Sequence, residues 1–200
     1  MRYEILDKTV CYQGFFRMER YQLRHQKFSG EWSRPVTREL LERGHAAAVL
    51  PYDPKTDCVV LIEQFRIGAL TASGGAWLME IVAGIIDAGE TPRQVVIREA
   101  IEEAGCYITE LVPLYDYLVS PGGTSEQIAL FCGRTETTKV THGAIHGLAG
   151  EDEDIRVHVM TLSKALALLS AGAIKSASAI IALQWLALNR EVVRQHWSTG

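Results

Sequence analysis

The 200-residue sequence has no long apolar run, no clustered cysteines and no excess of positive charge, and each lack removes a class of protein. No stretch reaches the roughly 18 apolar residues of a membrane-spanning helix, and the opening MRYEILDKTV has no apolar centre of the kind a secretory signal needs. The expectation is a cytoplasmic protein with no membrane partner. The four cysteines, Cys11, Cys58, Cys106 and Cys132, are widely spaced, form no C-x-x-C and have apolar neighbours. This predicts four buried thiols in a reducing compartment rather than a disulfide framework or a zinc site. Lys and Arg number 20 against 24 Asp and Glu, a net charge of −4, which argues against a general nucleic-acid binder. His142 and His146 have a ligand-like spacing, but Gly143 and Gly147 oppose the helix that would align them. His45 and His158 stand in apolar strand contexts that predict satisfied core or boundary residues. Repeats and low-complexity tracts are absent.

What the chain does have is a hydrophobic content of 48%, enough for one domain with an appended element. Residues 1–42 alternate aromatic, aliphatic and charged positions and predict a small antiparallel sheet; residues 43–200 form the main domain. In that domain, residues 46–50 and 58–63 read as strands joined by a turn over 51–57, and residues 111–119 and 127–133 as two more. Helical periodicity runs from Leu162 to Ala171, stopping at Gly172, and from Ala177 to Trp197, with Trp185 and Trp197 as core or interface anchors.

The most informative segment is GIIDAGETPRQVVIREAIEEAGC, residues 84–106. Thr91, Pro92 and Gln94 make a capping box with proline at the first helical position, and Gly105 suits the left-handed residue that ends a helix, which predicts a helix over Pro92–Ala104. At helical spacing Glu99, Glu102 and Glu103 share one face, while Val96, Ile97, Ala100, Ile101 and Ala104 supply an apolar stripe that faces inward. Alone, such an acidic face is an ordinary solvated surface with an Arg98–Glu102 pair worth a few tenths of a kcal/mol. The loop before it changes the reading. An apolar strand, Trp77–Ala83, feeds a turn through Gly84, Asp87 and Gly89 that brings Glu90 toward the helix. Crowded carboxylates raise one another's pKa unless a cation neutralises them, and hard oxygen donors suit Mg²⁺, which shares protein carboxylates with substrate phosphates.

Gly84, Glu90, Arg98, Glu99, Glu102, Glu103 and Gly105 together fit G-x5-E-x7-R-E-U-x-E-E-x-G-U, where U is apolar, with Cys106 in the last position. At usual residue frequencies, seven such positions coincide by chance about once in 10^8 starting points. The segment resembles the Nudix box, and the chain is identified on it as a member of the Nudix family, whose enzymes hydrolyse nucleoside diphosphates linked to another moiety with Mg²⁺ or Mn²⁺. Pro121, in Ser120–Glu126 and sixteen positions past Gly105, resembles the mark of the bacterial ADP-ribose pyrophosphatase branch. Further likeness lies in residues 12–16, 42–47, 61–66, 148–158 and 182–186.

The resemblance implies an α/β fold, an α/β/α sandwich around a mixed sheet, with the N-terminal sheet helping to form a homodimer. It implies hydrolysis of ADP-ribose to AMP and ribose 5-phosphate. On this resemblance Glu99 and Glu103 are expected as the principal metal ligands, with Glu102 assisting and the Ala83 carbonyl a further ligand to two or more ions. Arg98 orients the glutamates and Glu90 anchors loop to helix, with Gly84, Gly105 and Pro121 as structural support. Glu151 is the matching general base and Glu153 the second choice. Phe15 and Arg38 match the residues around adenine, Arg66 serves the pyrophosphate, and Glu80 and Glu126 hold ribose hydroxyls or metal-bound water. Alternatives are hydrolysis of another sugar nucleotide such as GDP-mannose, or an ADP-ribose sensor without turnover. Intact box glutamates oppose the sensor.

Overall fold

Alternation in the N-terminal residues yields three antiparallel strands, β1 (Tyr3–Gln13), β2 (Arg17–His25) and β3 (Val36–Glu42), in the order β1-β2-β3. The computed structural model describes residues 1–148, 150 and 152–198 and divides into two units, Met1–His45 with Tyr117–Ile128, and Ala46–Asp116 with Ala129–Gly200. In the first unit Tyr21 pairs with both Lys8 and Arg38, and β1 is exposed along its whole length. Leu41 at the end of β3 bridges Thr124, and the Leu41 N–H donates to the Gly123 carbonyl at 2.8 Å, so the Pro121 loop belongs to this unit. Cys11 lies exposed on β1 and Cys58 is half-buried, which corrects the expectation of four buried thiols; only Cys106 and Cys132 are interior. An edge strand exposed on both sides leaves an apolar-flanked cysteine no core to enter.

The second unit holds β4 (Ala46–Asp53), β5 (Cys58–Phe65), β6 (Trp77–Glu80), β7 (Val82–Ile85), α1 (Pro92–Ala104), most of β8 (Glu110–Leu118) and β9 (Gln127–Arg134), β10 (Ile145–His146), β11 (Ile155–Thr161), α2 (Leu162–Ser170) and α3 (Ala177–Ser198). The mixed sheet runs β10-β11-β5-β4-β9-β8, with β6 on β5 and β7 on β4. Alternate residues divide its two faces. Ala47, Val49, Val60, Ile62 and Val157 pack with Val95, Val96, Ala100 and Ala104 of α1. The intervening Ala48, Leu50, Tyr52, Val59 and Leu61 are also fully buried, and Tyr52 lies 6.3 Å from the Trp197 ring of α3. Helices therefore cover both faces. No helix among the described residues is long and apolar enough to cross a membrane.

The expected strands recur with ends shifted by one or two residues, as in β5, β8 and β9, and two departures are larger. The turn expected over 51–57 is shorter, because Pro51, Tyr52 and Asp53 continue β4 and the chain reverses over residues 54–57. Asp53 accepts from the Lys55 and Thr56 N–H groups and so closes the turn from inside the strand. The run 77–83 breaks at buried Ile81 into β6 and β7, which pair with different neighbours. This change of partner brings Gly84 opposite Ala47, on the α1 side of the sheet.

Candidate active site

α1 begins and ends as its local chemistry dictates. Thr91 caps it, the Gln94 side chain accepts from the Thr91 N–H at 2.9 Å, and Gly105 takes φ 57° while its N–H donates to the Ile101 carbonyl at 3.0 Å. Its buried face differs from the expected stripe. Ile97 and Ile101 are each 41% exposed, and Val95 and Glu103 are buried instead. The helix lies close on the sheet through small Ala100 and Ala104, and the inward space at position 103 holds a carboxylate with a donor of its own.

That donor is the Ala83 N–H, 3.0 Å from a Glu103 carboxylate oxygen. Glu103 is 4% exposed. Burial pushes its pKa up to about 8 against the pull of the Ala83 bond, and the Glu99 and Glu153 charges add to the rise while Arg66 opposes it. Glu99 is also raised, first by burial and then, against its Arg98 contacts, by Glu102 and Glu153. A Cβ on Gly84 would fall inside the Glu99 side chain, so only glycine lets the strand approach this carboxylate so closely.

Arg98 binds the glutamates into one network. Its Nε and one terminal nitrogen donate to the two Glu90 oxygens, each at 3.1 Å, and the other terminal nitrogen reaches Glu99 at 2.8 Å and Glu102 at 3.0 Å. The paired bonds to Glu90 raise the Arg98 pKa further and lower that of Glu90. Loop and helix meet through this Glu90–Arg98 pair.

Arg66 lies in the same unit, its Nε 2.7 Å from Glu80, and it is close enough to lower the Glu103 pKa. Gln64, buried on β5, donates to the same Glu80 oxygen at 3.4 Å. Sequence reasoning missed Gln64; an amide two positions past Ile62, and so on the same inward face of the strand as that apolar residue, is the signal that could have found it. Glu153 accepts from the Leu148 N–H at 3.2 Å and acts electrostatically on both Glu99 and Glu103. Glu151 lies outside the described residues.

Phe15, Arg38, Pro121 and Glu126 belong to the first unit. Phe15 is 86% exposed and meets Phe16 edge-on at 5.0 Å, and Arg38 is exposed with a terminal nitrogen 2.7 Å from the Thr37 carbonyl. Glu126 is buried, 3.5 Å from Arg43, whose guanidinium lies over the Phe16 ring. Arg43 was not anticipated from sequence, because its partners are 83 and 27 positions away. Of the two histidines expected in strands, His158 lies in β11 with its Nε2 3.0 Å from Glu63, whereas His45 is exposed in the short link before β4, where its Nδ1 accepts from the Gln127 N–H. His142 accepts from the Val159 N–H, and the His146 ring covers Gly105.

Among the described residues no three His, Cys, Asp or Glu side chains already converge as a finished metal cage. Glu99 and Glu102 turn to Arg98, and Glu103 to Ala83. The donors nevertheless fit a hard divalent cation. Glu99, Glu103 and Glu153 offer only oxygen, and their mutual repulsion is incompletely answered by Arg98 and Arg66. A cation that keeps waters and shares ligands with phosphate needs no complete protein cage.

Known proteins resemble this chain in sequence and in fold. The NUDIX domain family matches residues 42–182. The ADP-ribose pyrophosphatase of Escherichia coli strain K12 is 47% identical over 195 residues, 98% of this chain and 92% of that protein. The enzyme of that name from Haemophilus influenzae is 44% identical over 197 residues, 97% and 90% of the two chains. A GDP-mannose pyrophosphatase of Enterobacter is 30% identical over 191 residues, covering 94% and 97%. A solved ADP compounds hydrolase shares the fold, with a TM-score of 0.69 over 94% of this chain and 95% of its own at 20% identity.

Proposed function

We propose a function from one premise: this chain belongs to the Nudix family, whose domain covers residues 42–182. It is an ADP-ribose diphosphatase, which cleaves the pyrophosphate bond with water to give AMP and ribose 5-phosphate. The observation that carries this reading is the Glu103–Glu99–Arg98–Glu90 network, built on a glycine whose replacement would displace Glu99. Identity of 47% to an ADP-ribose pyrophosphatase, against 30% to a GDP-mannose pyrophosphatase, supports the choice of substrate.

Carboxylates and arginines divide the work. Glu99 and Glu103, assisted by Glu102 and the Ala83 carbonyl, hold the divalent cations, for which Mg²⁺ is the natural choice and Mn²⁺ the substitute, two or more per site. Bound there, the cations neutralise phosphoryl charge and lower the pKa of the attacking water. Glu103 must release its proton before it can bind a cation. Arg98 keeps Glu99 and Glu102 oriented, and Glu90 holds Arg98 from the loop side. Glu151, with Glu153 as the alternative, takes the proton of the attacking water. Arg66 faces the pyrophosphate with its guanidinium, and Glu80 and Glu126 take ribose hydroxyls or metal-bound water. Phe15 offers an exposed ring, and Arg38 an exposed guanidinium, to adenine.

Residues 1–42 form a subdomain for dimerisation and substrate contact, residues 43–200 the hydrolase domain. The exposed length of β1, with Tyr3, Ile5, Val10 and Tyr12 open, supports a homodimer. The protein works in the cytoplasm on a small nucleotide sugar, without nucleic-acid or membrane partners. Chromatography of products after incubation with ADP-ribose, GDP-mannose and diadenosine phosphates, with Mg²⁺ or chelator, tests the reading. The expected result is Mg²⁺-dependent AMP and ribose 5-phosphate from ADP-ribose; preferential cleavage of GDP-mannose overturns the substrate, and no cleavage overturns the enzyme.

A further inference from the structure

β10 and β11 pair through Ile145 with Arg156 and His146 with Ile155, and the chain leaves β10 at Gly147. Gly147 has φ 114°. A Cβ there would lie 2.7 Å from Glu153 Cβ and 2.8 Å from the Glu153 carbonyl oxygen. The second contact is with backbone, which cannot swing aside as a side-chain tip can. The chain just after β10 and the chain just before β11 are pinched together at this point, and the pinch is completed by the Leu148 N–H, which donates to the Glu153 carboxylate at 3.2 Å. Before it, the His146 ring lies on Gly105 at the end of α1, where a Cβ would be 2.9 Å from His146 Cε1. One side of the pinch is thus tied to the helix that carries Glu99 and Glu103.

We propose that Gly147 is a positioning residue for hydrolysis, its missing side chain allowing the two segments to close so that Glu153 is held beside Glu99 and Glu103. The inference rests on the hydrolase reading above. The electrostatic effect of Glu153 on both helix carboxylates agrees with that placement. Gly147 touches neither substrate nor the reacting atoms; it acts through Glu153.

Gly147→Ala tests this on the full chain with ADP-ribose and Mg²⁺. A displacement near an ångström at a reacting group costs about 10²-fold, so kcat should fall by about that factor with KM within about twofold. Gly143→Ala is the control for strain alone, because Gly143 also has positive φ, 82°, but a Cβ there would meet nothing within 4 Å. It should keep wild-type kcat. In a Glu153→Ala background, which keeps the struck Cβ and carbonyl but removes the carboxylate being positioned, the added Gly147→Ala change should have no further effect on kcat. One glycine inserted after Gly147 adds no side chain but shifts Glu153, and should lower kcat likewise, which keeps the test alive if Gly147→Ala does not fold. Wild-type kcat in either Gly147 variant, or an equal loss with and without Glu153, overturns the proposal while wild-type turnover leaves the hydrolase reading standing. A wild-type protein inert toward ADP-ribose overturns both.

Discussion

Glu103 makes the stability of the metal-free protein depend on pH in a direction that can be worked out from its surroundings. Burial holds its pKa near 8 in the folded state, against the ordinary carboxylate value of 4.5. Between those values the folded chain keeps a proton that the unfolded chain has released. The stability that this one group contributes is therefore full below pH 4.5 and is lost as pH rises toward about 8. The slope is about 1.4 kcal/mol per pH unit, so raising pH from 6 to 7.5 removes about 2 kcal/mol. For a chain of this length that lowers the melting temperature by about 4–8 °C. Glutamine at this position keeps an oxygen for the Ala83 N–H and cannot titrate, so Glu103→Gln isolates the contribution from every other titrating group.

The assay is thermal unfolding in chelator across pH 6–8 for wild type and Glu103→Gln. The wild-type midpoint should fall more steeply by the amount above, and saturating Mg²⁺ should reverse the wild-type trend, because a bound cation replaces the proton and binds better as pH rises. Parallel curves for the two proteins would refute the argument, since they would mean that Glu103 is already ionised when folded or stays solvated.

Arg98→Lys replaces a forked donor that reaches three glutamates with a single point charge, and activity should drop by about 10–100-fold with the fold intact, measured as kcat and by circular dichroism. Gly84→Ala should displace the Glu99 carboxylate and raise the Mg²⁺ concentration for half-activation by about 10–100-fold, read from a metal titration of turnover. Thr91→Ala removes the cap of α1 and should cost about 1 kcal/mol in denaturant unfolding without changing KM.

Much of the fold was legible because its signals are local. The limits of α1 follow from Thr91, Gln94 and Gly105, all within fifteen positions, and the helix occurs where they place it. The α2 expectation ended one residue late and the α3 expectation one residue early. The alternating N-terminal residues gave a sheet. The departures have tertiary causes. Periodicity put Ile97 and Ile101 inside, but the face of α1 that meets the sheet is the one carrying Val95, Val96, Ala100 and Ala104, where small residues allow a close approach, and it leaves Ile97 and Ile101 outside. The break at Ile81 was hidden because a strand that changes partners keeps the same apolar character on both sides of the change.

The site divides in the same way. Residues of the box have roles tied to spacing along one helix and loop, so Glu90, Arg98, Glu99 and Glu102 could be grouped from sequence, and they lie in one network. Pairings across the sheet could not be read so. The Gln64 bond to Glu80 spans 16 positions and the Arg66 bond 14, and both exist only because β6 lies on β5. Gly84 could be matched to a pattern, but its physical necessity depends on Glu99 standing over it, fifteen positions later. Gly147 has no such pattern in the sequence; among the chain's many glycines it is marked only by the backbone it touches at Glu153. Catalytic carboxylates on a helix can be recognised by their spacing, whereas the glycines that let strands approach them are identified by what a missing Cβ would strike.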